Sequence, residues 1–323
     1  MPSSLSRNFD TLLESTILLS FSRIGYILRR NMWDTADLDV NMNGRMCIVT
    51  GANSGLGFAT TVHLAALGAS VTMVARDPAK GQSAVDDIID RTGNQNVRLE
   101  IVDLSSLDAV RDFAARLLER EDRMDVLINN AGVLLPERQL SADGIELSFA
   151  TNVLGPFLLT NLLMPLLARN TPARVIFVSS GGMYTQKLDV DDLQSERKEF
   201  NGTVAYAQHK RAQVILTELW AERLTGTGVT VNAMHPGWVD TPGVHRSLPT
   251  FWKVMRPFLR TPAQGADTII WLAVAPRLAS ESGKFWFDRC QRKTHKLART
   301  VSLPQDRQRL WDKCVHLSEL SEM

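Results

Sequence analysis

The chain has 323 residues, of which 44% are hydrophobic and 22% are charged, as in ordinary soluble globular proteins. Its 36 basic and 35 acidic residues give a formal net charge of +1, which offers no reason to expect a nucleic-acid partner. Cys47, Cys290 and Cys314 have neither the density of a disulfide scaffold nor the spacing of a zinc site. We therefore expect reduced thiols and no metal site.

Residues 1–44 differ from the rest of the chain and predict an N-terminal helical extension. Apolar residues between Leu12 and Leu28 recur at the spacing of an amphipathic helix. Glu14 and Arg23 leave only Ser15 to Ser22 free of charge, which is too short for a transmembrane helix. A helix packed on the domain or a partner and an interfacial membrane helix both remain open. Without a clean cleavage site, we expect an intracellular protein, cytoplasmic or peripheral to a membrane and not secreted.

From residue 45 onward, short apolar strands alternate with helices. This order predicts one α/β domain over residues 45–290, a doubly wound Rossmann-like fold whose mainly parallel sheet is covered by helices on both faces. We assign residues 291–323 to a C-terminal tail. The predicted strands are 46–49, 70–74, 97–102, 126–128, 175–178 and 230–233, and the predicted helices are 58–67, 78–91, 106–120, 149–167 and 204–224.

A glycine-rich loop joins the first strand to the first helix, with the sequence Thr50-Gly51-Ala52-Asn53-Ser54-Gly55-Leu56-Gly57. Its glycines permit a tight turn and a close approach of the backbone to a pyrophosphate, which would rest on the helix N-terminus. An ordinary strand–helix turn is the alternative. The predicted cofactor contacts in this loop are Gly51, Asn53, Ser54, Gly55, Leu56 and Gly57.

Tyr206 and Lys210 are four residues apart in a predicted helix and so share one of its faces. A lysine ammonium beside a phenol favours the phenolate and lowers the tyrosine pKa. Such a phenol could exchange a proton near neutral pH, as a carbonyl/alcohol oxidoreductase requires. A tyrosine on the helix surface is the alternative.

The T-G-x-x-x-G-x-G pattern of the loop resembles the short-chain dehydrogenase/reductase superfamily. Other signatures of that superfamily follow in order, namely Asn129-Asn130-Ala131-Gly132, Asn152, Ser179-Ser180, Tyr206 with Lys210, and Pro236-Gly237. The resemblance covers about residues 45 to 275. It implies hydride transfer between a nicotinamide cofactor and a carbonyl or alcohol.

The resemblance also implies roles for individual residues. Tyr206 is the expected acid/base, assisted by Lys210, which would also bind the nicotinamide ribose. Ser180, with Ser179 as the alternative, would bind the substrate oxygen, and Asn152 would hold a water that links Lys210 to solvent. The remaining expected cofactor contacts are Asp103, Leu104, Asn130, Ala131, Gly132, Pro236, Gly237, Val239 and Thr241.

The end of the second strand bears on the choice between NADP(H) and NAD(H). Ala75 occupies the usual acidic position and Arg76 follows it, while Asp77 comes one residue too late for the usual NAD role. These residues favour NADP(H), with NAD(H) possible. Ser54 stands where some members of the superfamily have a second basic residue, which weakens this preference, and Arg76 as a solvated surface residue is the alternative.

Further segments resemble the branch of the superfamily near the retinol dehydrogenases, at 178–183, 192–197, 235–238, 241–244 and 263–268. Val244 to Arg260 combines apolar and basic residues and predicts a lid over a hydrophobic carbonyl or alcohol, such as a retinoid, steroid or lipid aldehyde. A helix buried on its own domain and a membrane-contacting lid are the alternatives. The acidic insert from Gln186 to Asn201 could form a wall of the pocket or a surface excursion.

Other classes of protein also fit the sequence. A cofactor-binding regulatory protein that turns over slowly or not at all, or a membrane-associated scaffold, would retain the same fold. A homodimer is possible through apolar residues of the fourth predicted helix, which could equally belong to the core. These residues are Leu158, Leu159, Leu162 and Leu163.

Overall fold

The computed structural model describes residues 10–320 and contains one eight-stranded sheet in the order β3-β2-β1-β4-β5-β6-β7-β8. All neighbouring strands are parallel except β7 and β8. The strands are β1 Met46–Thr50, β2 Ser70–Ala75, β3 Val97–Ile101, β4 Val126–Asn129, β5 Ala173–Val178, β6 Val229–Met234, β7 Phe285–Phe287 and β8 Cys290–Arg292. The predicted doubly wound Rossmann-like fold is therefore confirmed.

Helices cover both faces of the sheet. Successive side chains of each buried strand point to opposite faces, so both faces are apolar and both must be covered. In β1, for example, Ile48 belongs to one hydrophobic core, whereas Cys47 and Val49 belong to the other. The helices are α1 Ile17–Phe21, α2 Arg23–Arg30, α3 Gly55–Ala66, α4 Pro78–Thr92, α5 Leu107–Arg120, α6 Gly155–Leu162, α7 Met164–Arg169, α8 Gly202–Arg223, α9 Pro242–Ser247, α10 Pro249–Met255, α11 Pro262–Val274 and α12 Pro304–Leu317.

The helix predicted over residues 149–167 is not continuous. A one-turn helix, Leu147–Phe149, leads into a π-helical turn, Ala150–Leu154, where the Gly155 N–H donates to the Ala150 carbonyl. α6 then ends at Leu162, and Leu163 separates it from the proline-containing start of α7. Such π-helical turns are frequent at functional sites, and this one contains Asn152.

The single helix predicted between Leu12 and Leu28 is also wrong in extent, because the chain turns sharply at Ser22, where the backbone is extended between α1 and α2. Gly25 permits this turn, since a Cβ there would collide with the carbonyl oxygens of Leu19 and Ser20. Residues 1–9 of the predicted extension lie outside the described residues. No helix within residues 10–320 combines the length and apolarity needed to cross a bilayer.

A buried ionic cluster attaches the N-terminal helices to the domain. Arg29 binds Asp10 at 2.7 Å and Asp288 at 2.9 Å, and Arg260 binds Asp288 at 2.6 Å. Arg260 also donates to the Ser20 carbonyl at 2.9 Å. The Phe21 ring packs where a Cβ on Gly181 would lie. The N-terminal extension therefore packs on the domain, beside the residue that follows Ser180.

The boundary predicted at residue 290 falls within β8, and the residues assigned to the C-terminal tail include α12, which covers α8. Trp311 of α12 contacts Trp220 of α8, with ring centroids 5.5 Å apart, and Phe157 of α6 at 5.0 Å. The Arg223 guanidinium lies 3.9 Å from the Trp311 ring. These contacts make α12 part of the main hydrophobic core.

The apolar residues considered for a dimer interface lie in the chain's own core. Leu158, Leu159 and Leu163 are fully buried, and Leu162 packs against the same cluster. The core alternative is therefore the one observed for Leu158, Leu159 and Leu163, which are not available to a second copy of the chain.

The acidic insert, residues 186–201, packs against α12. The Lys313 ammonium donates to the Val190 carbonyl at 2.8 Å, and Arg309 forms an ion pair with Asp191. Asp189 pairs with Lys198 of the insert itself at 3.2 Å. These contacts favour the surface excursion over a wall of the substrate pocket.

We expect Trp311→Ala to lower the free energy of unfolding by about 3 kcal/mol, because it removes a large buried side chain and leaves a cavity. Denaturant titration would measure the change. Gln305→Ala, at an exposed position of α12, is the control and should change stability by less than about 0.5 kcal/mol. Equal stability of both variants would show that α12 is not part of the cooperative fold.

Candidate active site

The glycine loop after β1 has a backbone that only glycine adopts easily. Gly51 and Gly55 have φ angles of +64° and +56°, in the left-handed region. A Cβ on Gly57 would collide with the Gly51 carbonyl oxygen and would lie 2.6 Å from Asn130 Nδ2. At Gly51 and Gly57 the loop is therefore pressed against the residues that follow β4 and has no room for a side chain.

The N-terminus of α3 presents uncapped backbone N–H groups. Ser54 is the N-cap residue, but its exposed side chain makes no capping hydrogen bond. The first N–H groups of a helix have no partner within the helix, and together with the helix dipole they favour an anion. This end of α3, beside Asn53 and Leu56, fits the pyrophosphate of a dinucleotide.

The end of β4 braces this loop through Asn130. Its side chain donates to the Thr50 carbonyl at 2.8 Å, and its backbone N–H donates to Thr50 Oγ1 at 3.0 Å. The Ala131 N–H donates to the same hydroxyl at 3.0 Å. A Cβ on Gly132 would lie 3.2 Å from Lys210 Nζ. The motif therefore connects the glycine loop to the lysine.

The two serines after β5 have different surroundings. Ser179 is buried, and its hydroxyl donates to the Lys210 carbonyl at 2.8 Å, so it fastens β5 to α8. Ser180 Oγ accepts from the Gly182 N–H at 3.1 Å, and its hydroxyl is close enough to the Tyr206 phenol to lower the pKa of that phenol. Of the two serines, Ser180 is the one placed beside the tyrosine.

The charge states of Tyr206 and Lys210 differ from the sequence-based expectation. Burial raises the pKa of Tyr206 to about 12, although the nearby Ser180 hydroxyl acts in the opposite direction. Burial lowers the pKa of Lys210 to about 7. The lysine ammonium lies 5.4 Å from the tyrosine ring centroid. The expected lowering of the tyrosine pKa is therefore absent, and Tyr206 is a protonated phenol at neutral pH.

Lys210 is held by two acceptors, neither of which was predicted from the sequence. Its ammonium donates to the Val178 carbonyl at 2.8 Å and to Gln213 Oε1 at 3.2 Å. Gln213 Nε2 donates in turn to the Asn152 backbone carbonyl at 2.6 Å. The sequence signal that could have identified Gln213 is its position three residues after Lys210, on the same face of α8.

Asn152 uses both side-chain atoms within the protein. Its Oδ1 accepts from the Val133 N–H at 2.7 Å, and its Nδ2 donates to the Val133 carbonyl at 2.8 Å. This pairing fixes the loop after β4 against the π-helical turn. The connection from Asn152 to Lys210 runs through the backbone carbonyl and Gln213.

The other predicted cofactor contacts lie around the same edge of the sheet. Asp103 Oδ1 accepts from the N–H and the hydroxyl of Ser105, which orders the turn that contains Leu104. Thr241 caps α9 and lies against Gly55. The Pro236 carbonyl accepts from Arg260, next to Gly237, which has a φ of +77°.

Arg76 and Asp77 have different environments at the end of β2. Arg76 is exposed, and within residues 10–320 its guanidinium forms no ion pair. The Asp77 carboxylate caps α4 by accepting from the Lys80 N–H at 3.0 Å, and it pairs with the Lys80 ammonium at 2.9 Å. Of these two side chains, the Arg76 guanidinium is therefore the one that is free to bind a ligand.

The fold, the glycine loop and the Ser180–Tyr206–Lys210 arrangement are those of a nicotinamide-dependent oxidoreductase, and the model of the short chain dehydrogenase family matches residues 45–250. The chain belongs to this family and is an oxidoreductase that acts on CH–OH groups. No group of three or more metal-binding side chains occurs in the part of the chain that the structure describes.

Individual relatives agree with this assignment. The chain is 46% identical to dehydrogenase/reductase SDR family member 12 of Bos taurus, over 91% of this chain and 92% of that protein. It is 40% identical to retinol dehydrogenase 13 of Homo sapiens, covering 75% and 76% of the two chains.

Solved structures have the same fold. A crystal structure of a protein from Mycobacterium Paratuberculosis has a TM-score of 0.70 and 30% identity, covering 89% of this chain and 97% of the other. The Pseudomonas aeruginosa RhlG/NADP active-site complex has a TM-score of 0.62 and 25% identity, with coverages of 76% and 94%.

We expect Gln213→Ala to lower kcat by roughly tenfold to a hundredfold, because it removes one acceptor from Lys210 and leaves the buried Asn152 carbonyl without its donor. Gln213→Glu would place a carboxylate beside Lys210 and raise the lysine pKa. The pH profile of kcat/KM should then shift to higher pH. An unshifted profile in Gln213→Glu would show that this residue only fills space.

Proposed function

We propose that the protein is an NADP(H)-dependent oxidoreductase that transfers hydride between the nicotinamide and a hydrophobic carbonyl or alcohol, with Tyr206 as the acid/base. The observation that carries this proposal is the position of Tyr206 beside the buried Lys210, whose ammonium lies 5.4 Å from the tyrosine ring centroid, with Ser180 near the phenol. A proton donor and a hydrogen-bonding hydroxyl meet there at the carboxyl end of a parallel sheet, where ligands of such folds bind.

The nicotinamide supplies or accepts the hydride when it is bound. Ser180 Oγ already accepts from Gly182, so its own proton is available to a neighbouring oxygen. That hydroxyl would orient a substrate carbonyl and stabilise negative charge on its oxygen. Tyr206, as a protonated phenol, would then give its proton to that oxygen. Oxidation of an alcohol would run the same proton transfer in reverse and would require the phenolate.

Lys210 supports the proton transfer by Tyr206. With a pKa lowered to about 7, its ammonium can release and regain a proton near neutral pH. Gln213 fixes the ammonium and connects it to the Asn152 backbone. We therefore assign Asn152 a role through its carbonyl, because its side chain is already engaged by Val133.

Arg76 supports the preference for NADP(H). Its exposed guanidinium stands at the strand end where a ribose 2′-phosphate is recognised, and the adjacent Asp77 carboxylate is occupied in capping α4. A guanidinium binds phosphate through paired N–H donors, whereas the ribose hydroxyl of NAD(H) gains nothing comparable from it.

The lid supports a hydrophobic substrate, such as a retinoid, steroid or lipid aldehyde. No residue of α9 or α10 is buried, which favours a lid over a helix buried inside its own domain. Phe251 packs edge-on against Trp238, with ring centroids 5.4 Å apart, and Ser247 donates to the Leu134 carbonyl at 2.9 Å. The lid thus connects the loops after β6 and β4. Retinol dehydrogenase 13 is among the relatives.

We expect Tyr206→Phe to lower kcat for aldehyde reduction by about 100- to 10,000-fold, because it removes the proton donor, while NADPH binding persists. Stopped assays with NADPH and a panel of aldehydes and ketones would measure the loss. Tyr184→Phe, which removes a hydroxyl bonded to the Lys293 carbonyl, is the control. Equal rates of wild type and Tyr206→Phe, or cofactor binding without turnover in wild type, would favour the regulatory alternative.

The pH dependence of kcat/KM in the wild-type protein provides a second test of Tyr206 as the acid/base. Alcohol oxidation needs the phenolate, so its kcat/KM should fall as the pH is lowered. Carbonyl reduction needs the phenol and should keep its kcat/KM over the same range.

We expect Arg76→Ser to raise KM for NADPH by roughly tenfold to a hundredfold, because it removes a charged partner of the phosphate. KM for NADH should change by less than about twofold. Lys80→Ser, at the next exposed cation along the chain, is the control. A wild-type KM for NADH equal to or below that for NADPH would contradict the preference.

A further inference from the structure

The described N-terminal residues expose an unusual amount of apolar surface. Of the fifteen large hydrophobic side chains that are exposed within residues 10–320, eight lie between residues 12 and 32. They are Leu12, Ile17, Leu18, Leu19, Ile24, Ile27, Leu28 and Met32. Such a concentration on one segment marks a contact surface, whereas singly scattered apolar residues do not.

In α2 the exposed side chains follow the helical repeat. Ile24, Ile27 and Leu28 are exposed, whereas Gly25, Tyr26 and Arg29 are buried against the domain. The buried set makes the contacts that hold the helix in place. The outward side is therefore a separate apolar face, and it has no partner among the described residues.

The charges of this segment are sorted between its two sides. Both of its carboxylates point inward, where Asp10 binds Arg29 and Arg292 and Glu14 binds Lys296. The exposed charges between residues 10 and 33 are those of Arg23 and Arg30, which fall on the apolar side of α2 by their spacing. The outward surface is therefore apolar and cationic.

The lid continues this character next to the N-terminal helices. Phe21 of α1 contacts Trp238, with ring centroids 5.9 Å apart, and Trp238 contacts Phe251 of the lid. The lid exposes Val254 and Phe258 together with cations. The half-exposed Asp240 carboxylate at its base is bound by His245 and by Trp252 Nε1. The exposed lid cations are Arg246, Lys253 and Arg256.

We propose that the outward side of α1 and α2, together with the adjoining lid, docks onto the surface of an anionic phospholipid bilayer. Apolar side chains would enter the boundary between headgroups and acyl chains, and the arginines would meet the lipid phosphates. The outward position of the arginines favours an anionic bilayer over a second copy of the chain, because a second copy of the same face would bring cations against cations. Docking in this way would place the lid at the bilayer, where hydrophobic substrates are dissolved.

Flotation of the full-length protein with vesicles tests the proposal. We expect binding to vesicles of 70% phosphatidylcholine and 30% phosphatidylserine, weaker binding to pure phosphatidylcholine, and release as the salt concentration rises. Ile24→Ser with Ile27→Ser should reduce the bound fraction about tenfold or more. Arg23→Ser with Arg30→Ser should reduce binding to the anionic vesicles by roughly fivefold per arginine.

Ile101→Ser, at an exposed apolar position of β3, is the matched control and should bind as wild type does. The Ile24/Ile27 variant should keep its turnover of a water-soluble aldehyde, so loss of docking and loss of catalysis remain distinguishable. Absence of vesicle binding by wild type, or equal binding by wild type and the Ile24/Ile27 variant, would overturn the proposal. So would a concentration-dependent dimer that this variant abolishes in sedimentation.

Discussion

Burial of the Lys210 ammonium is the constraint on which the arrangement of the active site depends. A buried cation must be surrounded by acceptors, and two of these come from separate elements. The Val178 carbonyl belongs to the last residue of β5, and Gln213 belongs to α8 itself. The glycine at position 132 leaves room for the ammonium. Satisfying one charge therefore fixes the distance between β5, α8 and the loop after β4.

The helix opposite Lys210 supplies the far end of this support. Gln213 can bridge to Asn152 because the residue four positions after Asn152 is Pro156, which has no N–H to donate to the Asn152 carbonyl within the helix. The proline thus leaves free a carbonyl that supports Lys210 through Gln213.

What the sequence could predict was local. The glycine loop, the strands and the Tyr206–Lys210 spacing depend on residues a few positions apart, so pattern and family resemblance located them. The bridge from Gln213 to Asn152 spans 61 residues, and no local pattern contains it. The turn at Ser22 depends on a close approach of two helices at Gly25. The tyrosine pKa was misjudged because its direction depends on burial, which only the folded structure defines.

The buried pairing of Arg29 and Arg260 with Asp288 has a consequence for the size of the folding unit. The family model spans residues 45–250, yet all three of these residues lie outside that span. A chain cut to the matched span would lose β7, β8 and the helix pair that packs beside Gly181. Removing the N-terminal helices alone would leave the Asp288 carboxylate with one of its two arginines. The contacts that hold the fold together therefore extend on both sides of the span by which the family is recognised.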